Sequence, residues 1–305
     1  MRIVRGLESF PPDPPASAVA LGAFDGIHVG HRAILGTAVS IGRERGVPAL
    51  ACTFDPHPLE VLQPGSAPAP ITTLAERLAL MGEAGVDAVV VLEFTRRLAA
   101  MEPEAFVKDI LLMRLGARDV VVGFNHRFGH RARGDARLLT ELAPGLGFTA
   151  HIVPPQVVDG VAVSSSEIRT LLQQGDVASA TRFLGRPYAV GGRVVRGAGR
   201  GRALGFPTAN VETDRPLLIP TGVYACRAEV DGGVHPAVVN IGVRPTFAEQ
   251  TLAVEAHLLD FTGDLYDRRL RLEFIRRLRG EQKFPGPQAL RKQIALDVAL
   301  ARETL

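Results

Sequence analysis

The sequence predicts an α/β protein in two parts, an N-terminal doubly wound parallel sheet followed by a small antiparallel β-barrel with a C-terminal helix. Three observations carry this expectation. Between Ala18 and Val153 short apolar runs alternate with amphipathic segments, as strands joined by crossover helices do. Beyond Arg186-Pro187 the periodicity becomes mostly strand-like, and after Pro287 the residues Leu290, Ile294, Val298 and Ala301 fall at helical spacing. The length of 305 residues suits two domains at ~100–200 residues each, here drawn as 1–186 and 187–305.

In the first part Val19–Leu21, Val47–Phe54, Ala88–Glu93, Val120–Gly123 and Phe148–Val153 read as strands. Thr73-Leu-Ala-Glu76 reads as a capping box that opens a helix, and Pro103 stands where the first turn of the next helix, running toward Leu115, tolerates proline. Two further helices, Ser166–Gln174 and Asp176–Leu184, are stopped by Gly175 and Gly185. Then come strands at Tyr188–Val195, Gly222–Val230, Val234–Ile241, Leu252–Leu259 and Leu270–Phe274, with Asp231-Gly232-Gly233 as a hairpin turn. The tail from Pro287 to Leu305 closes the barrel as a helix.

Hydrophobic residues at 46% and charged residues at 22% are ordinary for a soluble globular chain, which argues against disorder. Lys+Arg is 35 and Asp+Glu is 32, so the net charge of +3 implies no nucleic-acid partner. Lysine occurs only at 108, 283 and 292, so the positive charge is almost all guanidinium. Cys52 and Cys226 lie in apolar runs and read as buried thiols of a reducing compartment. Charges interrupt the N-terminal segment, and no run reaches the ~18 apolar residues of a membrane span, so the expected location is cytoplasmic, with no membrane partner.

The first candidate site is Gly22-Ala-Phe24-Asp25-Gly-Ile-His28-Val-Gly30-His31, which follows the first predicted strand and opens the first helix. Backbone N–H groups, a helix dipole and two imidazoles there make a cradle for a phosphate. Zinc is the rival ligand, with His57 as a third nitrogen, and two capping histidines without a ligand the bland reading. Polar residues recur at later strand ends, in Phe54-Asp55-Pro-His57, in Gly123-Phe-Asn125-His-Arg127 and in Ser164-Ser-Ser-Glu-Ile-Arg169. Singly these are a turn, a loop residue and a helix cap, but together they mark the carboxyl edge where open parallel sheets bind ligands.

This half resembles the adenylyltransferase module of bacterial bifunctional riboflavin kinase/FAD synthetases, Rossmann-like nucleotidyltransferases with an H-x-G-H signature. Four motifs match in order. The resemblance implies that His28 and His31 contact the ATP phosphates, along a loop that includes Gly22, Phe24, Asp25 and Gly30, with Ser164 and Arg169 holding the triphosphate from the far side. It implies that Asp55, His57, Asn125 and Arg127 position the nucleotide or flavin. FMN attacks the α-phosphorus directly, so no protein nucleophile is needed. His126 departs from the family, where many relatives carry an aromatic residue.

The second candidate site is Gly197-Ala-Gly199-Arg-Gly201-Arg202-Ala-Leu-Gly205-Phe-Pro207-Thr208-Ala-Asn210. It has no Gly-Lys-Ser/Thr, so it is not a Walker loop, and Arg202 and Pro207 break the dinucleotide fingerprint. It reads as a flexible arch that ends in two oxygen-bearing side chains, with a surface turn as the bland alternative. Glu255, on a predicted strand that it shares with His257, adds an acid. An acid beside oxygen ligands for Mg²⁺ suggests phosphoryl transfer from ATP. By its sequence alone that strand face is either solvent or site.

This half resembles the riboflavin kinase module of the same family in Pro207-Thr-Ala-Asn210, Gly222-Val-Tyr224-Ala225, Asn240-Ile-Gly-Val-Arg-Pro-Thr-Phe247 and the Glu255 strand. The resemblance then spans almost the whole chain. It implies Mg²⁺ and nucleotide phosphates at Thr208 and Asn210, further phosphate contacts at Gly199, Arg202, Gly205 and Pro207, a general base at Glu255, and flavin contacts from Phe274 to Phe284 that include Arg279. Leu265-Tyr-Asp267 departs from the family, where glycine is common after the tyrosine. The implied ligands are riboflavin, FMN, FAD, ATP, ADP and pyrophosphate, with a homo-oligomer compatible with the sequence. The implied activity is phosphorylation of riboflavin to FMN and adenylylation of FMN to FAD. The alternatives are a flavin-binding regulator without turnover and a nucleotidyltransferase for another phosphorylated alcohol.

Overall fold

The computed structural model describes Met1 to Leu305 apart from Ser9, Pro12, Ala198 and residues 246–249, with the backbone alone at Arg200, Ala203, Arg244, Pro245, Gln250 and Thr251. The chain divides into two compact units, Met1–Ser165 and Ser166–Leu305.

In the first unit six parallel strands, β1 (Arg2–Arg5), β2 (Ser17–Leu21), β3 (Ala49–Asp55), β4 (Ala88–Glu93), β5 (Ala117–Gly123) and β6 (Thr149–Val153), form one sheet in the order β1-β4-β3-β2-β5-β6. Successive residues of each strand face opposite sides, and both sides are covered. Ala18, Ala20, Ala49, Ala51, Val89 and Val121 meet α1 (Val29–Arg45) and α2 (Leu74–Glu83). Val19, Leu21, Cys52, Val90, Val120 and Val122 meet Phe106, Ile110 and Leu111 of the crossover helix, together with Leu139 of α3 (Ala136–Leu146). That crossover opens with Pro103 in its first turn and widens to π-type pairing over Phe106–Arg114. The capping box of α2 forms as expected, with the Thr73 hydroxyl accepting from the Glu76 N–H at 3.2 Å and the Glu76 carboxylate from the Thr73 N–H at 2.7 Å.

Strand β1 escapes the sequence pattern because only Val4 of its four residues is buried, so Arg2–Arg5 reads as a polar terminus until it pairs with the edge of β4. From β2 the chain runs outward through β3 and β4, then crosses back to place β5 on the other side of β2. The loops after β2 and β5 therefore diverge to opposite faces, which opens a crevice at the carboxyl ends of these two strands.

The second unit opens with α4 (Ser165–Gln174) and α5 (Val177–Leu184), and α5 packs against two barrel strands, β7 (Tyr188–Val195) and β12 (Arg269–Arg279). The remaining strands are β8 (Ala209–Thr213), β9 (Gly222–Val230), β10 (Gly233–Pro245) and β11 (Gln250–Leu258). They close an antiparallel barrel in the order β7-β8-β11-β10-β9-β12. Asp231 and Gly232, at φ 49° and 80°, make the two-residue turn between β9 and β10. Tyr188, Tyr224 and Phe274 fill the barrel, and Arg215 donates to the Tyr188 hydroxyl at 2.7 Å. Helix α6 (Pro287–Thr304) lies on the outside, where Ala301 packs with Val223, Ala225, Val238 and Leu259.

Sequence reading extends the glycine-rich arch to Asn210, whereas the structure ends it at Thr208. Ala209 to Thr213 alternates inward and outward and completes the barrel as β8. Both cysteines are buried and unpaired, and burial pushes the Cys52 thiol up to about 12.

Candidate functional site

In the first unit β2 ends at Leu21, and beyond Gly22 the residues Phe24, Gly26 and Ile27, all at positive φ, carry the chain to His28. His28 caps α1, its Nδ1 accepting the His31 N–H at 3.2 Å. The two imidazoles stack at 3.6 Å with their planes 18° apart, and Phe24, fully buried, meets His31 edge-on at 5.3 Å. A Cβ on Gly30 would lie 3.1 Å from the His28 ring, so glycine is what lets the rings lie over this turn. The result is a helix N-terminus carrying two imidazoles, which suits a polyanion.

The loop is held from below. Asp25, only 5% exposed, accepts from the N–H of Ile71 at 3.0 Å and of Thr72 at 3.0 Å, and from the Thr72 hydroxyl at 3.0 Å. Ser165 donates to the Asp25 carbonyl at 2.9 Å. Arg77, which sequence reading passed over because it sits inside a helix, donates to the Ala23 and Phe54 carbonyls at 2.6 and 3.2 Å. Its guanidinium also faces Asp55 at 4.0 Å, and burial lowers its pKa from the usual arginine range.

At the other strand ends, His57 caps the short helix Pro58–Leu62 through Nδ1, which accepts from Leu59 N–H. Asn125 is exposed, and its Oδ1 would lie 3.6 Å from a Cβ on Gly123, where Ile34 of α1 also approaches, so the β5 loop borders α1 one turn past His31. Arg127 pairs with Asp135 at 3.3 Å. His126 stacks on Phe128 at 5.8 Å, its Nε2 cut off from water without a partner, and burial pushes this imidazole down to about 4. Ser164 precedes α4 in the first unit, and Arg169 lies on α4 in the second. Among the described residues no three His, Cys, Asp or Glu side chains converge as a metal site, and the Nδ1 atoms of His28 and His57 both accept backbone N–H groups, so the zinc alternative lacks a ligand set.

In the second unit the arch from Gly197 folds over the start of β8. Phe206 and Leu204 donate to the Gly201 carbonyl, and Gly199 and Gly205 take φ of 68° and 87°. A Cβ on Gly197 would strike the Asn210 amide, and one on Gly201 would lie 2.9 Å from the Thr208 hydroxyl. Glycine thus brings the arch backbone onto both oxygen-bearing side chains. These are hard donors of the kind Mg²⁺ accepts, so the residues fit that ion. Arg202, Pro207 and Thr208 also line a cleft with Val194, Phe261 and Tyr266, and the Arg196 guanidinium lies over the Tyr266 ring at 5.5 Å.

Strand register decides which face Glu255 occupies. Glu255 pairs directly with Asn210 of β8 on one side and with Asn240 of β10 on the other, and Asn240 pairs with Val223. Val223 belongs to the cluster beneath α6, so this row lies on the outer face of the barrel, with Glu255 half-buried. Sequence reading quotes Asn240 as the start of a matching motif and gives it no role; its alignment with Glu255 exists only once β10 and β11 pair. Thr246 and Phe247 of the same motif lie outside the described residues. Arg279, where the resemblance implies a flavin contact, is engaged by Asp297 of α6 at 2.7 Å and lies 5.7 Å from the Phe284 ring.

Comparison with known proteins covers both units. Residues 10–167 match the family model described as FAD synthetase, and residues 184–305 match that described as riboflavin kinase. The bifunctional riboflavin kinase/FMN adenylyltransferase of Pseudomonas fluorescens is 42% identical over 99% of this chain and 97% of its own length. That of Escherichia coli K12 is 39% identical over the same shares. A crystal structure described as a macrolide-efflux protein from Streptococcus pneumoniae superposes with a TM-score of 0.90 at 28% identity over 99% of both chains. Among the described residues here no helix is long and apolar enough to cross a membrane. Full-length similarity to curated enzymes, with both family models in the same order, settles the assignment: the chain belongs to the bifunctional riboflavin kinase/FMN adenylyltransferase family.

Proposed function

We propose that residues 187–305 phosphorylate riboflavin to FMN at the outer barrel row around Glu255, and that residues 1–186 adenylylate FMN to FAD at the His28/His31 helix start. Relatives that carry both activities along their whole length favour this reading over a flavin-binding regulator or a nucleotidyltransferase for another alcohol.

In the first step Glu255 takes the proton from the terminal ribityl hydroxyl of riboflavin. The hydroxyl oxygen bonds to the γ-phosphorus of ATP, the bond from that phosphorus to the β-bridging oxygen breaks, and ADP leaves. Thr208 and Asn210 would hold Mg²⁺, which when bound neutralises charge on the ATP phosphates. Gly199, Arg202, Gly205 and Pro207 shape the arch over the phosphates, and Arg279 orders the segment beside the flavin.

In the second step an FMN phosphate oxygen attacks the α-phosphorus of ATP and pyrophosphate leaves. His28 and His31 stabilise the charge that grows on the leaving phosphates, with the N–H groups at the start of α1. Ser164 and Arg169 hold the triphosphate, while Asn125, Arg127, Asp55 and His57 border the FMN side. Gly22, Phe24, Asp25 and Gly30 set the loop that presents the two imidazoles. A cytoplasmic location fits the two buried free thiols.

The observation that carries the reading is Glu255 in register with Asn210, the residue whose amide a Cβ on Gly197 would strike. The test is chromatographic: riboflavin, ATP and Mg²⁺ are incubated with the protein and with Glu255→Gln, and flavins are quantified over time. The unaltered protein should give transient FMN and then FAD, and Glu255→Gln should form FAD only from added FMN. Loss of both activities in that variant would overturn the two-site assignment.

A further inference from the structure

Pro207 closes the glycine arch and has one soft backbone angle. Its ring fixes φ, and with the peptide planar only ψ is left to decide where its carbonyl and the next peptide plane point. That angle is held from β11. The ladder between β8 and β11 closes with Ala209 opposite Ala256. One residue further along β11 a side chain makes the link, as His257 donates through Nδ1 to the Pro207 carbonyl at 2.7 Å. A carbonyl oxygen only accepts, so Nδ1 carries the hydrogen and the tautomer of the ring is set. Phe206 meets the same ring edge-on at 5.6 Å, so one imidazole touches two successive residues at the end of the arch. His257 lies opposite Val238, which packs beneath α6, and so shares the outer face with Glu255 two residues earlier on the strand. Thr208 follows directly on Pro207, and a Cβ on Gly201 of the arch would lie 2.9 Å from its hydroxyl.

We infer that His257 is a positioning residue for riboflavin phosphorylation, an inference that rests on Thr208 serving the ATP phosphates and their Mg²⁺. By holding the Pro207 carbonyl, His257 fixes the peptide between Pro207 and Thr208 and so aims the Thr208 hydroxyl. One strand then carries both the base and the anchor of the phosphate side. Their separation is set by two residues of extended strand, about 7 Å, rather than by the loop. Without the donor, ψ at Pro207 is free to turn and the hydroxyl loses its aim, while Glu255 keeps its strand pairing.

The experiment uses the full chain and separates the donor from the ring. His257→Phe keeps a ring against Phe206 without a donor, and His257→Asn keeps an N–H in the place of Nδ1 without a ring. Steady-state FMN formation is measured for both, for Thr208→Ala and for the Thr208→Ala/His257→Phe pair. His257→Phe should lower kcat about tenfold while leaving KM for riboflavin within about twofold, a pattern of lost alignment. His257→Asn should recover to within about threefold of the unaltered rate. In the Thr208→Ala background the phenylalanine change should cost less than about twofold, because the group that it positions is already gone. FAD formation from added FMN should be unchanged throughout. A second readout needs no bound ligand: in amide hydrogen exchange followed by mass spectrometry, peptides covering 204–210 should exchange about fivefold faster in His257→Phe, the scale of one lost hydrogen bond, and near the unaltered rate in His257→Asn. Full activity or unaltered exchange in His257→Phe, a larger loss in His257→Asn than in His257→Phe, a loss confined to riboflavin KM, or a full tenfold loss added to that of Thr208→Ala would each overturn the role of His257 and leave that of Thr208 standing. An undiminished rate in Thr208→Ala alone would overturn the phosphate-side role of Thr208 and the positioning role with it. If His257→Phe fails to fold, His257→Leu, also without a donor, takes its place in the comparison with His257→Asn.

Discussion

His28 and His31 stack with ring centroids 3.6 Å apart, and the residue between their turns, Gly30, has no side chain that would press on the His28 ring. The stack places two imidazole edges at the start of α1, while His28 keeps its capping bond to the His31 N–H. Replacing His31 with alanine removes one imidazole and leaves the cap. FAD formation should fall by about 10²–10³-fold, as for loss of one preorganised charge-stabilising donor. FMN formation from riboflavin should be unaffected. Initial rates of the two steps, each started from its own substrate, check this.

The glycine arch is tested at one atom. A methyl group on Gly197 would collide with the Asn210 side chain, so Gly197→Ala should displace either the arch or the amide. Riboflavin phosphorylation should drop at least about tenfold, the scale at which small misplacements act in a preorganised site. Adenylylation of added FMN should stay at its original rate. Gly46, at positive φ but with open space around it, provides the control position: alanine there should strain a helix end and leave both activities intact.

Asp25 is an anchor for its loop. It joins the loop after β2 to Ile71 and Thr72 by hydrogen bonds near 3.0 Å. Asp25→Ala would leave buried N–H groups unsatisfied, at about 1–3 kcal/mol each. Urea unfolding should show a loss of about 3 kcal/mol or more in the first unit, and thermal melting should show a lower first transition with the kinase activity retained.

Much of this arrangement was readable before folding. Strands β2 to β5 are apolar runs because both faces are covered, and the glycines and histidines of the first loop stand within ten residues of each other. What was not readable depends on distant pairing. Strand β1 buries only Val4, β8 resembles the end of a loop, and the alignment of Asn240 with Glu255 follows from barrel closure. Arg77 is hidden for another reason. A cation inside an amphipathic helix looks solvent-facing, yet this one is buried because two backbone carbonyls accept from it. The family departure at Asp267 is also explained by the backbone, since it adopts a φ of 65°, the region that glycine occupies without cost, and holds Arg193 at 3.0 Å.

His126 predicts a pH dependence. Its folded pKa is held near 4, because burial against Phe128 disfavours the charged ring, while an unfolded histidine titrates near 6.5. Above pH ~6.5 both states are neutral and the site contributes no penalty. As pH falls from there, the unfolded chain takes a proton that the folded chain refuses, so stability declines until about pH 4, by up to about 3 kcal/mol. His126→Phe, which keeps an aromatic ring there without a titratable group, should remove this slope. Urea midpoints measured from pH 7 to 4.5 should converge for the two proteins at neutral pH and separate in acid, and parallel curves would refute the effect.

Arg279 and Asp297 separate structural from flavin-binding roles. The Arg279 guanidinium donates through Nε and Nη2 to both oxygens of Asp297, which is 4% exposed, and Gln293 adds a further donor at 2.9 Å. This pair ties the end of β12 to α6. Removing one partner strands the other, at about 3–5 kcal/mol for a buried pair, so Arg279→Met and Asp297→Leu should each destabilise the barrel. Replacing both with apolar residues of similar volume should restore much of that loss, because no uncompensated charge remains. The double variant then isolates the flavin role. If Arg279 touches the flavin, the refolded double variant should show a raised riboflavin KM with an ordinary melting temperature. If it serves only to dock α6, riboflavin KM should return with stability.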